Sequence, residues 1–393
     1  MKLNNLILSV LLLAVVIAGH ACTGILKSDG KNILFGNNED WKNPNTVITY
    51  VPAEDNLYGW IYFGFDDGWP QGGMNDKGLA YDGFATASKP VKNSLDKEFF
   101  QGNIIEYAMR TCATVEEVEQ LASKYNLAFL ERAMLMFADA NGNSIIIEGD
   151  EIVKKKGDYQ ICTNFYQSEY QYGDNIPCSR YKIADKILKD CDVNVDNFIK
   201  VLAAVHQEGD WGGTQYSNIC DLKNGLIYLY HYHNYEDVLL IDLKKELAKG
   251  KRTEKLPELF PQKYAFETHL NKYNSSPHIA LEKNIGEHGI ESAVRDFNTW
   301  KKARVKKYDV DVNEEAMNLL GYKYLADGKF KEAVEVLKLN VEEFPESWNC
   351  YDSLAEAYME SGEKELAIRN YEKSIEMNPN NENGKKMLQE LKK

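Results

Sequence analysis

The sequence predicts an α+β domain followed by an α-helical tail built from repeats. Two observations carry this. Residues 22–248 alternate short β-rich stretches with glycine and asparagine turns, and place helical patterns between them without regular βαβ order. Further on, residue types recur at a fixed offset of 34. Gly321, Tyr324, Ala333 and Pro345 return as Ala355, Tyr358, Ala367 and Pro379. At 393 residues and 44% hydrophobic content, the chain is long enough for two packed cores.

Along the first domain, strands are expected at 33–35, 145–147 and 226–230, and helices at 103–112, 115–125 and 180–189. A hairpin is expected with strands at 228–233 and 238–243 and its turn at 234–237. Tyr58, Trp60 and Tyr62 alternate as core-facing strand residues do, and Asp66-Asp67-Gly68-Trp69-Pro70 reads as a turn. The stretch 249–276, charged at its start and holding Pro257 and Pro261, reads as a linker. A helical domain follows at 277–393, with repeats at about 314–347 and 348–381 and an amphipathic helix at 290–302 capping them. Small residues at helix crossings and a proline after the second helix resemble the tetratricopeptide repeat. That resemblance implies a groove for a protein or peptide partner; the alternative is a stabilising appendage.

The N-terminus reads as an export signal over residues 1–21. Lys2 gives a positive start, 6–18 is an apolar run, and Gly19-His20-Ala21 places small residues one and three positions before Cys22. The run is short for a permanent membrane helix. Cleavage after Ala21 makes Cys22 the first residue, with a thiol and a free α-amine on one framework. The amine, with a pKa of roughly 7.7–8.0, can accept a proton from a thiol near about 8.5 and return it to a departing amine. Beyond the signal no long apolar run follows, so no integral membrane segment remains after cleavage. This predicts an exported protein, periplasmic or extracellular. The rival is a lipid-anchored binding protein acylated at Cys22, although lipoprotein signals usually carry a large aliphatic residue where this chain has Gly19.

A formal charge of −14 excludes nucleic acid and anionic membrane surfaces as partners. The other cysteines, Cys112, Cys162, Cys178, Cys191, Cys220 and Cys350, show no CxxC or Cys/His spacing for zinc. His231 and His233 alternate on one expected strand but have no third partner at recognisable spacing, so no metal is expected.

Several motifs follow Cys22-Thr23-Gly24 in order. They are Gly36-Asn37-Asn38-Glu39-Asp40-Trp41, Gly73-Met74-Asn75-Asp76-Lys77-Gly78-Leu79, Thr163-Asn164, Pro177-Cys178-Ser179-Arg180-Tyr181 and Thr214-Gln215-Tyr216-Ser217. Their order and spacing over about residues 22–245 resemble the choloylglycine hydrolase, or linear amide C–N hydrolase, family. The resemblance implies an N-terminal nucleophile hydrolase fold, an αββα sandwich of two antiparallel sheets between helical layers. It implies Cys22 as nucleophile forming a thioester, Asp40 holding the α-amine, Asn164 and the Ala85 backbone N–H as oxyanion donors, and Arg180 beside the thiol. Bile salt and penicillin V enzymes of the family usually carry arginine where this chain has Asn37, so amide hydrolysis is implied and the acyl group is left open. Asn37 and Trp69 are expected at the substrate, Trp69 lining an apolar acyl pocket. The substrate is then a small acyl amide, with acyl transfer through the same thioester as a variant. No cofactor is needed, since nucleophile, base and donors are all protein groups.

Overall fold

The computed structural model describes residues 22–92, 97–171, 174–208, 213–261, 263–303 and 312–392. The expected signal, 1–21, lies outside the described residues. The chain forms two compact units, the first ending at Phe266 and the second beginning at Glu267.

The first unit contains fourteen strands among its described residues. In chain order they are β1 (Thr23–Ser28), β2 (Ile33–Trp41), β3 (Thr46–Val51), β4 (Trp60–Phe65), β5 (Pro70–Asn75), β6 (Ala80–Ala85) and β7 (Ala133–Ala138), then β8 (Ser144–Glu148), β9 (Glu151–Lys154), β10 (Tyr159–Cys162), β11 (Gly213–Asp221), β12 (Leu226–His231), β13 (Asn234–Asp242) and β14 (Arg252–Lys255). They make a six-stranded sheet, β10-β1-β2-β11-β12-β13, and an eight-stranded sheet, β14-β3-β4-β5-β6-β7-β8-β9, with antiparallel pairing throughout. One core lies between the sheets, with Leu26, Phe35 and Leu229 from the first meeting Phe63, Met74 and Met136 from the second. Helices α1 (Ile104–Thr111) and α2 (Val115–Lys124) cover the outer face of the larger sheet through Met109, Val115 and Val118. Helices α3 (Ser179–Leu188) and α4 (Val195–Val205) cover the smaller sheet through Ala184, Phe198 and Leu202. The architecture is the expected αββα sandwich.

Two of the sequence motifs serve this scaffold. Gly24 sits where the sheets approach closely: a Cβ there would lie 2.6 Å from Phe84 Cζ. Asn75 closes the β5–β6 turn by accepting the Lys77 and Leu79 N–H groups, while its amide donates to the Met109 and Cys112 carbonyls. It thereby ties the turn to α1.

The hairpin departs from expectation. Its turn is Tyr232-His233, both at positive φ (48° and 46°), and β13 already starts at Asn234. Two consecutive left-handed residues match the strand twist of a two-residue hairpin. Tyr-His lacks the usual asparagine–glycine signature, which is why the Asn234–Asp237 polar cluster looked like the turn. Within the stretch expected as a linker, Arg252–Lys255 forms an edge strand on β3.

In the second unit, α9 (Glu314–Ala326) and α10 (Phe330–Glu343) recur as α11 (Trp348–Glu360) and α12 (Lys364–Met377), each boundary displaced by 34. Preceding them are α5 (Leu243–Leu247) in the first unit, α6 (Tyr264–Asn274) across the division, and α7 (Pro277–His288) and α8 (Ile290–Ala303); α13 (Glu382–Leu391) closes the chain. Gly321 is small because a Cβ there would meet Leu337 of α10 at 2.5 Å. Leu281, Ile285 and Phe297 of α7 and α8 pack with Met317, Leu320 and Val336, so these helices cover the open end of the first repeat.

Candidate active site

Cys22 immediately precedes β1, a strand paired on both edges: Gly24 faces Cys162 of β10, and Thr23 faces Asn38 of β2. The thiol is buried and borders a cavity of about 500 Å³. The cavity opens at the end of the sandwich where β5 begins and β6 ends. Its walls are mainly apolar, with Phe65, Trp69, Phe84, Ile105, Phe129 and Leu135 among them, while Glu39 and Asp40 join Cys22 at the polar part.

β2 sets the polarity of the site. Its odd residues face the other sheet, as Ile33 and Phe35 show by joining the inter-sheet core. Glu39 therefore reaches Cys22, with Sγ 3.6 Å from Oε1, and its other oxygen accepts the Tyr216 hydroxyl at 3.5 Å. The even residues turn the other way. Asn38 donates to Leu202 O of α4, and Asp40 accepts from Thr214 Oγ1 and, at 2.9 Å, from Gln207 Nε2. The Asp40 backbone N–H is directed at the Cys22 sulfur.

Arg180, in the first turn of α3, binds three groups at once. It donates to Cys22 O at 2.6 Å, Thr23 Oγ1 at 2.8 Å and Asn164 Oδ1 at 3.0 Å. Asn164 donates in turn to Ala85 O at 2.8 Å. Opposed partners fix the amide's orientation and leave its second N–H hydrogen for another acceptor. Thr86 N–H bonds Arg132 O in the β6–β7 ladder, and ladder bonds alternate, so the Ala85 N–H points to the opposite edge. On that edge β5 does not pair with it, since the β5–β6 register begins only at Gly72 opposite Asp82.

Burial dominates the electrostatics. It pushes the Cys22 thiol well above its ordinary range, with the charges of Glu39, Asp40 and Asp82 adding to the effect. Burial also raises Glu39 to about 8, Asp40 contributing, and raises Asp40 to about 7 against the opposing pull of Thr214, Arg180 and Gln207. Asp82 of β6 is raised by burial and by Glu39.

The structure thus gathers Cys22, Asp40, Asn164, Arg180 and Ala85 around one point and puts Trp69, 62% exposed, on the same cavity. Asn37 lies elsewhere: it is sealed between the sheets, bonded to Asp82 and to Asn218. Glu39, Thr214 and Gln207 were not singled out from sequence. Glu39 and Thr214 stood inside quoted motifs, and strand alternation from Phe35 was the signal that would have aimed Glu39 inward.

His231 and His233 do not share a strand face, because His233 is in the turn. His231 is buried against Phe260 and Phe266, and burial holds its pKa down to about 4. Among the described residues, the group able to offer three metal ligands is His206, Glu208 and His233, whose ligand atoms lie within 4.8 Å of one another. His206 Nε2 is already paired with Glu208 at 2.8 Å. Also among the described residues, all seven cysteines are free, and no helix is long and apolar enough to cross a membrane.

The tetratricopeptide repeat family model matches residues 348–381. No curated protein matches the chain. Among solved structures it is similar to two variants of the conjugated bile acid hydrolase from Clostridium perfringens. The first has a TM-score of 0.49 at 18% identity, covering 62% of this chain and 97% of that one. The second has a TM-score of 0.49 at 20% identity, covering 62% and 99%. Penicillin V acylase from Agrobacterium tumefaciens is similar with a TM-score of 0.46 at 18% identity, covering 60% and 90%.

Proposed function

We propose that this chain is an exported cysteine amidohydrolase that cleaves a linear, non-peptide amide, an N-acyl amine or N-acyl amino acid, through a thioester. The observation that carries the reading is the convergence on Cys22. A buried thiol borders an apolar cavity, and a single arginine ties its backbone to an oriented asparagine amide.

In this reading, residues 1–21 direct export and are removed, which turns the Cys22 nitrogen from an amide into a base. Asp40 holds the free α-amine in place and pairs with the ammonium that forms once the amine has taken the thiol proton. The α-amine takes the thiol proton and the sulfur attacks the carbonyl carbon. The negative charge on the carbonyl oxygen is met by Asn164 Nδ2 and the Ala85 N–H, where one such donor contributes about 2.7–4 kcal/mol. Collapse breaks the C–N bond, and the leaving amine carries away the proton held by the α-amine. Water then adds to the thioester and releases the acid. The apolar walls favour an apolar acyl chain. The tail offers a docking surface for a protein or peptide.

The test is intact mass and N-terminal sequence of protein made in an exporting host, followed by turnover of N-acyl amines and N-acyl amino acids. A free Cys22 terminus with turnover that Cys22→Ala abolishes is expected. A lipid-acylated Cys22, or equal turnover by the alanine variant, overturns the reading.

A further inference from the structure

Glu39 is the polar group nearest the thiol whose role the mechanism above does not use. It is 3% exposed, lines the cavity, and has one oxygen 3.6 Å from Cys22 Sγ. The groups facing it from every neighbouring element are acidic, phenolic or thiol: Cys22 before β1, Asp40 on its own strand, Asp82 and Tyr81 on β6, and Tyr216 on β11. None is a cation. The nearby guanidinium of Arg180 is occupied by Cys22 O, Thr23 and Asn164. A carboxylate so placed would oppose a neighbouring thiolate, whereas a neutral carboxyl carries an O–H that can donate to it.

Resting on the amidase reading, we infer that Glu39 is a further catalytic residue, a neutral acid whose O–H donates to the Cys22 thiolate as it attacks and again as it leaves the thioester. Burial raises the carboxyl to about 8, which favours the neutral form this role needs. The proton balance is simple. The thiol proton goes to the α-amine, and Glu39 keeps its own proton throughout. The Tyr216 hydroxyl, bonded to the second oxygen, leaves the acidic O–H to face sulfur. Asn37, two residues back on the same face of β2, is committed to Asp82 and Asn218.

The test reads the thiol directly, independently of any amide. The pH dependence of Cys22 alkylation by iodoacetamide is followed by peptide mass spectrometry in the full exported protein, in Glu39→Gln and in Glu39→Ala, with circular dichroism confirming the fold. The thiol and the α-amine titrate together in every form, and Glu39 adds a further step to the wild-type profile. Glu39→Gln, which still donates an N–H but cannot titrate, lacks that step and keeps the thiol at or below its wild-type position. Glu39→Ala lacks the step too and has its thiol shifted about one pH unit higher. On amides, Glu39→Gln keeps kcat/KM within about tenfold and Glu39→Ala loses about a hundredfold. A wild-type profile with no step that Glu39→Gln removes, or Glu39→Gln behaving like Glu39→Ala, overturns the inference, the second outcome by making Glu39 a base. If the alkylation pattern holds while no amide is turned over, the pairing of Glu39 with Cys22 stands and the amidase reading falls.

Discussion

Arg180→Ala tests the geometry of the site most directly, because one side chain holds three partners that come from two other parts of the chain. Its bonds to Cys22 O, Thr23 Oγ1 and Asn164 Oδ1 are all charge-assisted. Such bonds contribute about 1.5–3 kcal/mol each when fully buried. Arg180 is only partly buried and water can occupy the space it leaves, so about 2–3 kcal/mol of stability in total is the expected loss. The catalytic loss is larger in proportion. Without Arg180 the Asn164 amide keeps only its bond to Ala85 O and can turn, and removing one oxyanion donor costs about 10²–10³ in kcat. Arg180→Lys keeps the charge but not the planar fork, and an ammonium cannot span all three acceptors in this arrangement. It should fall between the alanine variant and the wild type. The assay is single-turnover acyl release from an N-acyl amide, paired with urea denaturation. An Arg180→Ala protein that folds and acylates within about threefold of the wild-type rate would refute the proposed coupling of Arg180 to the oxyanion donor.

Two further outcomes follow from packing and from titration. Gly24→Ala drives a methyl to 2.6 Å from Phe84 Cζ and 3.4 Å from Met136 Sδ, and should destabilise the first unit by about 1–3 kcal/mol; an unchanged denaturation midpoint would show that the sheets can part at no cost. Glu39 has a folded pKa above its unfolded value, so its stabilising effect is complete below about pH 4 and is lost as pH rises through about 8. Stability should therefore fall from pH 5.5 to pH 8.5, by at most about 1.4 kcal/mol per unit, and Glu39→Gln should flatten the slope. Thermal melts that rise with pH in the wild type, or that keep the same slope in the variant, contradict this.

What the sequence made legible was local. Helices α1 and α2 are written in their caps: Asn103 accepts from two N–H groups, and Thr114 with Glu117 forms a capping box. The second unit was legible through its period, since helix pairs that cross alike must repeat their small residues. That Cys22, Asn164 and Arg180 lie together could be expected only from the resemblance to a family, because they are separated by long stretches and meet through sheet order. No periodicity announces that β1 lies between β10 and β2. The aim of Glu39 depended on strand phase, which a run of polar residues over Asn37–Asp40 conceals. The hairpin turn was misplaced because Tyr232 and His233 adopt a backbone usually left to glycine and asparagine. Arg252–Lys255 carries no apolar alternation, and it is a strand because β3 offers it an open edge.

The strand behind Cys22 has a practical consequence. A chain that starts at residue 22 has no dangling leader, for its second residue is already paired with Asn38. The freedom of the reacting group is surrendered once, when the sheet closes, and not again at each encounter with substrate. The same tightness leaves no tolerance in front of it. On the mechanism proposed above, a start methionine or an affinity tag joined to Cys22 leaves the thiol in place but locks its nitrogen into an amide, and the expected product is a folded protein without turnover. Any handle belongs beyond α13, at the other end of the chain.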